Sequence, residues 1–130
     1  MKMSIRKYVQ DPYLIPDGTY LARVKAVRQK ANDGRSWTVV SLEIVQGFWK
    51  RRIIFDIIRR NGFSHEAVDS DRARETSLVA LSAAKGKPDR ACRDMIGTLV
   101  EIDVGSQWRG DLERQSNRVR AYRWTPQFLR

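Results

Sequence analysis

The stretch Thr19-Tyr20-Leu21-Ala22-Arg23-Val24-Lys25-Ala26-Val27-Arg28-Gln29 alternates Tyr20, Ala22, Val24 and Ala26 with Leu21, Arg23, Lys25 and Val27. A period of two marks a half-buried strand, and its outer face is mostly basic. Upstream, Asp17-Gly18 turns the chain after Pro12-Tyr13-Leu14-Ile15-Pro16, and residues 1–13 read as an N-terminal arm. Downstream, Asn32-Asp33-Gly34 is a turn by composition. A second strand follows over residues 36–46, with Val40, Leu42 and Ile44 on one side and Trp37, Val39, Ser41, Glu43 and Val45 on the other. Gly47 ends it.

A third strand is expected over about residues 50–58, apolar on both faces, so its period does not assign a core side. The pattern then turns helical. Asp71 reads as the cap of an alanine-rich segment whose buried side is marked by Leu78 and Leu81, with Asp69, Asp71 and Glu75 near its start and Gly86 and Pro88 ending it. A fourth strand is expected over residues 98–104, a polar loop over 105–116, and a fifth strand over 117–124. Three strands, one helix and two strands is the chain order of a mainly β fold, the five-stranded Greek-key barrel of the oligonucleotide-binding (OB) class. At 130 residues the whole is expected to be one domain, residues 125–130 forming a short C-terminal tail.

Charge narrows the function. Twenty-five lysines and arginines oppose fifteen acids, a formal charge of +10, as expected of a protein that binds polyanions. Residues 1–65 hold 13 basic and 5 acidic side chains, whereas residues 66–130 hold 12 and 10, so the basic face is expected mainly from the first half. One cysteine, Cys92, excludes an internal disulfide, and with the single His65 it cannot supply a zinc site of the usual kind. No run approaches the roughly 20 apolar residues of a membrane span and no signal peptide is evident, so a cytoplasmic setting without membrane contact is expected.

Gly47-Phe48-Trp49-Lys50-Arg51-Arg52 sets two aromatics beside three cations at the turn into the third strand. Rings that stack on bases, next to cations that pair with phosphate, suit single-stranded nucleic acid. A ring there can equally close one end of the fold, and the pattern leaves both roles open. The candidate contacts are Trp37, Trp49, Lys50 and Arg52 on or beside the second and third strands, Lys30 and Arg35 in the first loop, Trp108 and Arg109 (with Arg114) in the loop after the fourth strand, and Arg118, Arg120 and Tyr122 on the fifth. Trp124 shares that last face or plugs the barrel. Tyr20 and Phe55 read as core, Phe48 as packing, Arg59 and Arg60 as a solvated strand end, and Arg72, Arg74 and Lys85 as helix surface.

An enzyme is not expected. Glu43, Asp56, Glu101 and Asp103 are the only strand carboxylates that could hold magnesium for a nuclease, and outward acids on a sheet more often solubilise it. No phosphate-cradling glycine loop is present, and no cofactor or metal is expected.

Pro16-Asp17-Gly18-Thr19-Tyr20-Leu21-Ala22-Arg23-Val24, Ile44-Val45-Gln46-Gly47, then Phe48, Trp49, Lys50, Arg52, Ile54 and Phe55, resemble the phage-type single-stranded DNA-binding proteins often filed under a domain of unknown function. Ala83-Ala84-Lys85-Gly86, Ile96-Gly97-x-x-Val100 and Asn117-x-Val119-Arg120-x-Tyr122 extend the resemblance over roughly residues 14–124. It implies an OB barrel that coats single-stranded DNA during phage or prophage replication or recombination. Arg51 stands where the family places a glycine. An acidic tail that recruits other replication or recombination proteins is common among single-stranded DNA-binding proteins, and Thr125 to Arg130 offers none, so that partnership is not carried over. The residues also leave open an RNA ligand, a basic module that docks an acidic protein, and the oligomeric state.

Overall fold

The period-two stretch forms β1 (Gly18–Asn32), a strand long enough to pair along both of its edges. The structure, a computed structural model, describes residues 14–84, 95–109 and 114–123. The N-terminal arm, the helix end at Gly86 and Pro88, Cys92, Trp124 and the C-terminal tail lie outside the described residues, as do the side chains of Leu81, Arg109 and Arg114. After β1 come β2 (Arg35–Ile44), β3 (Ile53–Asn61), a helix α1 (His65–Ala84), β4 (Leu99–Arg109) and β5 (Arg114–Arg123).

All pairings are antiparallel, and the strands lie in the order β3-β2-β1-β4-β5. β4 returns beside β1 after the β1-β2-β3 meander, which is a Greek-key arrangement. The sheet is open: among the described residues no ladder joins β3 to β5. The core lies on one face of the sheet, where Ala22, Val24, Val40, Leu42, Ile44, Ile54, Ile58, Val100, Ile102 and Val119 meet Ile15, Leu78 and Met95.

Two bulges correct the expected faces. In β1 the register shifts between Val24 and Ala26, so Val27 turns inward and Ala26 does not. In β5 Asp103 pairs with Ala121 but Val104 pairs with Val119, leaving Arg120 as the extra residue. That shift puts Val119 and Tyr122 in the core together and separates Tyr122 from the face of Arg120. The loop expected over 105–116 is largely strand, since Gly105 to Arg109 pair with Arg118 to Arg114.

Asp71 is not a cap. The helix begins at His65, where Ser64 Oγ accepts from the Ala67 amide at 3.2 Å, and Asp71 lies in its second turn facing the sheet. Asp71, Arg74 and Leu78 form the buried helix face, so Arg74 is not helix surface. These polar residues occupy the edge that β3 turns away from β2. The Arg59 amide donates to Asp71 Oδ2 at 2.8 Å, and Arg74 Nη2 donates to the Ile57 carbonyl at 3.3 Å. Helix side chains thus supply part of the hydrogen bonding that a sixth strand would give.

Segment 14–16 is tied down by Asn117. Its Oδ1 accepts from the Ile15 amide and its Nδ2 donates to the Ile15 carbonyl, both at 2.9 Å. Ile15 is thereby held in the core.

Candidate nucleic-acid interface

The parity of β3 decides what the sheet shows to solvent. Ile54, Asp56 and Ile58 point inward, so Ile53, Phe55 and Ile57 point out, and Phe55 is 58% exposed. Phe55 was expected in the core. The misleading residue is Asp56: a carboxylate on the inward face lets the outward face look the more apolar. Asp56 is buried because Arg74 Nε reaches both its oxygens at 3.1 Å and the Tyr122 hydroxyl donates to Oδ2 at 2.6 Å. Burial raises its pKa, against the opposing pull of Arg74 and Tyr122.

Register then places β2 beside this stripe. Trp37 pairs with Arg59, Val39 with Ile57, Ser41 with Phe55 and Glu43 with Ile53. β1 adds Lys30 opposite Trp37 and Arg28 opposite Val39, both exposed. The result is an apolar band on β3, flanked on the β1 side by cations. Such a band is costly to leave in water unless a ligand covers it.

One end of the band is closed by a corner of rings. Gly62, at φ 79°, lets the chain leaving β3 touch the β1–β2 hairpin, where a Cβ would lie 2.6 Å from the Gly34 carbonyl oxygen. Phe63 is thereby set against Trp37, ring centres 6.3 Å apart and planes at 84°, and the Arg35 guanidinium lies 5.5 Å from the Phe63 ring centre. Asn32, Asp33, Arg35, Trp37, Ile57, Arg59 and Phe63 line the cleft so formed, about 630 Å³ in volume.

Arg59 is not a solvated strand end. Its Nε and Nη2 donate to Asp71 at 2.8 and 3.0 Å, which fixes the guanidinium at the cleft wall. Burial pushes the Asp71 carboxyl up, but the hydrogen bonds from the Arg59 side chain and amide, with the charges of Arg74 and Arg59, hold it at about 2.

At the opposite end of β2 the turn over residues 45–52 is knit by Arg51 N to Ile44 O at 2.7 Å and Ile44 N to Arg52 O at 2.9 Å. Here the roles of the two aromatics exchange. Trp49 packs partly buried against the core, with the Arg52 guanidinium 5.6 Å from its ring centre, while Phe48 stands 88% exposed in an edge-to-face contact with Trp49. Arg51 takes φ 78°, the left-handed conformation that a glycine adopts freely. Lys50 and Arg51 lie on the surface beside Arg23 and Glu43.

The remaining candidates divide. Arg118 borders the cleft between β3 and β5 together with Phe55, Ile57 and Gln107, and its Nη1 donates to Gln107 Oε1 at 3.3 Å. Trp108 is half exposed on β4 opposite Gln115, not in a loop. Arg120 is exposed and 3.9 Å from Asp17. Tyr122 is only 5% exposed and belongs to the core. The structure therefore gathers Lys30, Arg35, Trp37 and Arg118 around the β2–β3 face and sets Trp49, Lys50 and Arg52 at a second location. Phe55, Ile57 and Phe63 were missed, and Phe63 carried the signal of a ring directly after a turn glycine.

Among the described residues no three His, Cys, Asp or Glu side chains are grouped to hold a metal ion, and no helix is long and apolar enough to cross a membrane. Glu43 pairs with Lys25 at 3.7 Å, and Glu101 and Asp103 both pair with Arg123. No protein-family model matches the chain, and no curated protein sequence matches it.

Proposed function

We propose that the protein is a non-catalytic single-stranded DNA-binding protein of the phage type, acting in the cytoplasm during replication or recombination and built on a partly open OB barrel. The observation that carries this reading is the outer β2–β3 face, where Trp37, Phe55, Ile57 and Phe63 lie exposed or half-exposed between Arg28, Lys30 and Arg35 on one side and Arg118 on the other. In OB proteins that face, with the loops after the first and fourth strands, takes up oligonucleotides. The strand order supports the barrel. Its two edge strands, β3 and β5, are bridged by the Tyr122–Asp56 hydrogen bond and by α1.

Binding would combine stacking with phosphate neutralisation. A site of about 4 to 16 nucleotides, weak dependence on sequence outside special subsites, and affinity that falls steeply with salt are expected. Tryptophan fluorescence titrated with oligo-dT tests it. Trp37→Ala and Phe55→Ala should each weaken binding by about 5- to 150-fold, the equivalent of one stacked base. Equal affinity for duplex at moderate salt, or unchanged affinity in both folded variants, refutes the reading.

The aliphatic side chains Ile53 and Ile57 favour a second reading, a basic module that docks an acidic protein, because branched chains pack on protein better than they stack on bases. Absence of oligonucleotide binding at low salt, with an acidic partner recovered, would select it. Competition between matched DNA and RNA strands separates the two nucleic acids.

A further inference from the structure

We infer that the corner cleft is a subsite selective for guanine. This rests on the single-stranded DNA reading above and gives that surface a base preference. The cleft differs from the rest of the face in chemistry: its floor is apolar, from Trp37, Phe63 and Ile57, yet its rim carries a carboxylate, Asp33, and an amide, Asn32, beside the cation Arg35. Its volume of about 630 Å³ is within the ~300–1,000 Å³ of small-ligand clefts.

Asp33 is an ordinary residue for this turn, and it also sets on a face suited to phosphate a carboxylate that phosphate repels. That carboxylate suits a base edge that offers hydrogen-bond donors. An unstacked base presents its Watson–Crick edge, and guanine alone carries two adjacent donors there, N1–H and the N2 amino group, matching the two oxygens of a carboxylate. Cytosine and adenine each offer one amino donor beside a ring acceptor. Thymine offers one donor between two carbonyls that a carboxylate repels.

The geometry keeps the two charges apart in role. Arg59 is held to Asp71 and forms a fixed wall, whereas Arg35, on the Phe63 ring and exposed, is placed to meet the phosphate of the same nucleotide. Asp33 stands at the first position of the two-residue hairpin turn, φ 49°, followed by Gly34 at φ 77°. The turn thus fixes the backbone that carries the carboxylate.

The test uses an oligo-dT strand with one central position varied, which avoids the self-association of guanine tracts. One dG should tighten binding about tenfold over dT, dC or dA at that position, the discrimination expected of one bidentate base contact. Inosine, which lacks the N2 amino group, should lose most of that gain. Asp33→Asn is the matching variant, since asparagine tolerates the left-handed turn conformation. It should bind all-dT at least as well as the parent does, with the dG preference reduced to within about twofold. Binding of all-dT without a dG preference, equal binding of dG and inosine, or a preference retained in Asp33→Asn overturns the guanine site and leaves the single-strand reading standing. Failure to bind any oligonucleotide overturns both.

Discussion

Replacing Asp71 by asparagine should change the pH dependence of stability by an amount set by its ion pairs. The Asp71 carboxyl is buried and held at about 2, against 3.8 for an ordinary aspartate, because the hydrogen bonds from Arg59 and the charge of Arg74 outweigh its burial. A folded-state pKa below the unfolded one means that the ionised group stabilises the fold above 3.8 and loses that contribution as pH falls toward 2. The whole effect amounts to about 2.4 kcal/mol, of which about 1.6 kcal/mol is lost between about pH 5 and about pH 2.5. Asp56 acts in the opposite sense, and the charge of Asp71 adds to its shift. Its pKa is shifted upward by burial, so its contribution is complete below 3.8 and is lost only as pH rises above it. Urea unfolding followed by tryptophan fluorescence should show Asp71→Asn about 3 to 5 kcal/mol less stable near neutrality, the usual cost of breaking a buried pair. At about pH 2.5 that gap should narrow by about 1.6 kcal/mol. A gap that is the same at both pH values refutes the reasoning. So does an NMR titration of the native Asp71 carboxyl with its midpoint near the ordinary value.

Two further substitutions probe the backbone around the candidate site. Gly62→Ala must place a Cβ 2.6 Å from the Gly34 carbonyl oxygen at a positive φ, so it should destabilise the fold by about 2 to 3 kcal/mol, read by urea unfolding, and loosen the Trp37–Phe63 contact, seen as a changed tryptophan emission. Arg51→Gly removes left-handed strain of about 1 kcal/mol but adds freedom to the unfolded chain, so the urea midpoint should rise by the equivalent of about 0.5 kcal/mol; a fall would mean that the Arg51 side chain holds the turn.

The first two strands were legible because their inward residues, Ala22 and Val24 or Val40, Leu42 and Ile44, follow a plain alternation up to the bulge. The bulges at Lys25 and Arg120 were not, since a bulge is a relation between two strands and leaves no mark in one of them. That is why Tyr122, two residues from Arg120, was placed on a binding face. β3 failed for a different reason. Apolar residues on both sides carry no parity, and the choice falls to Asp56, whose buried partners Arg74 and Tyr122 are 18 and 66 residues away in sequence. Likewise Asp71 looks like a helix cap from its neighbours, and only the docking of α1 on β3 shows that it answers Arg59 and Arg74. The cations and Trp37 were legible by composition and strand parity, whereas the cleft they border depends on Gly62 bringing Phe63 back to the hairpin.

The hydrogen bonds that α1 sends to the rim of β3 also bear on how many copies of this chain can coexist in solution. A strand with exposed Ile53, Phe55 and Ile57 beside an unpaired backbone edge is a template on which further chains add, the first step toward fibrous aggregates. Asp71 and Arg74 occupy the Arg59 amide and the Ile57 carbonyl, two of the groups an incoming strand would need, and do so with charged side chains that a hydrophobic intruder cannot match. Next to the exposed Phe55 and Ile57, two outward backbone groups of β3 are thus already taken by the helix.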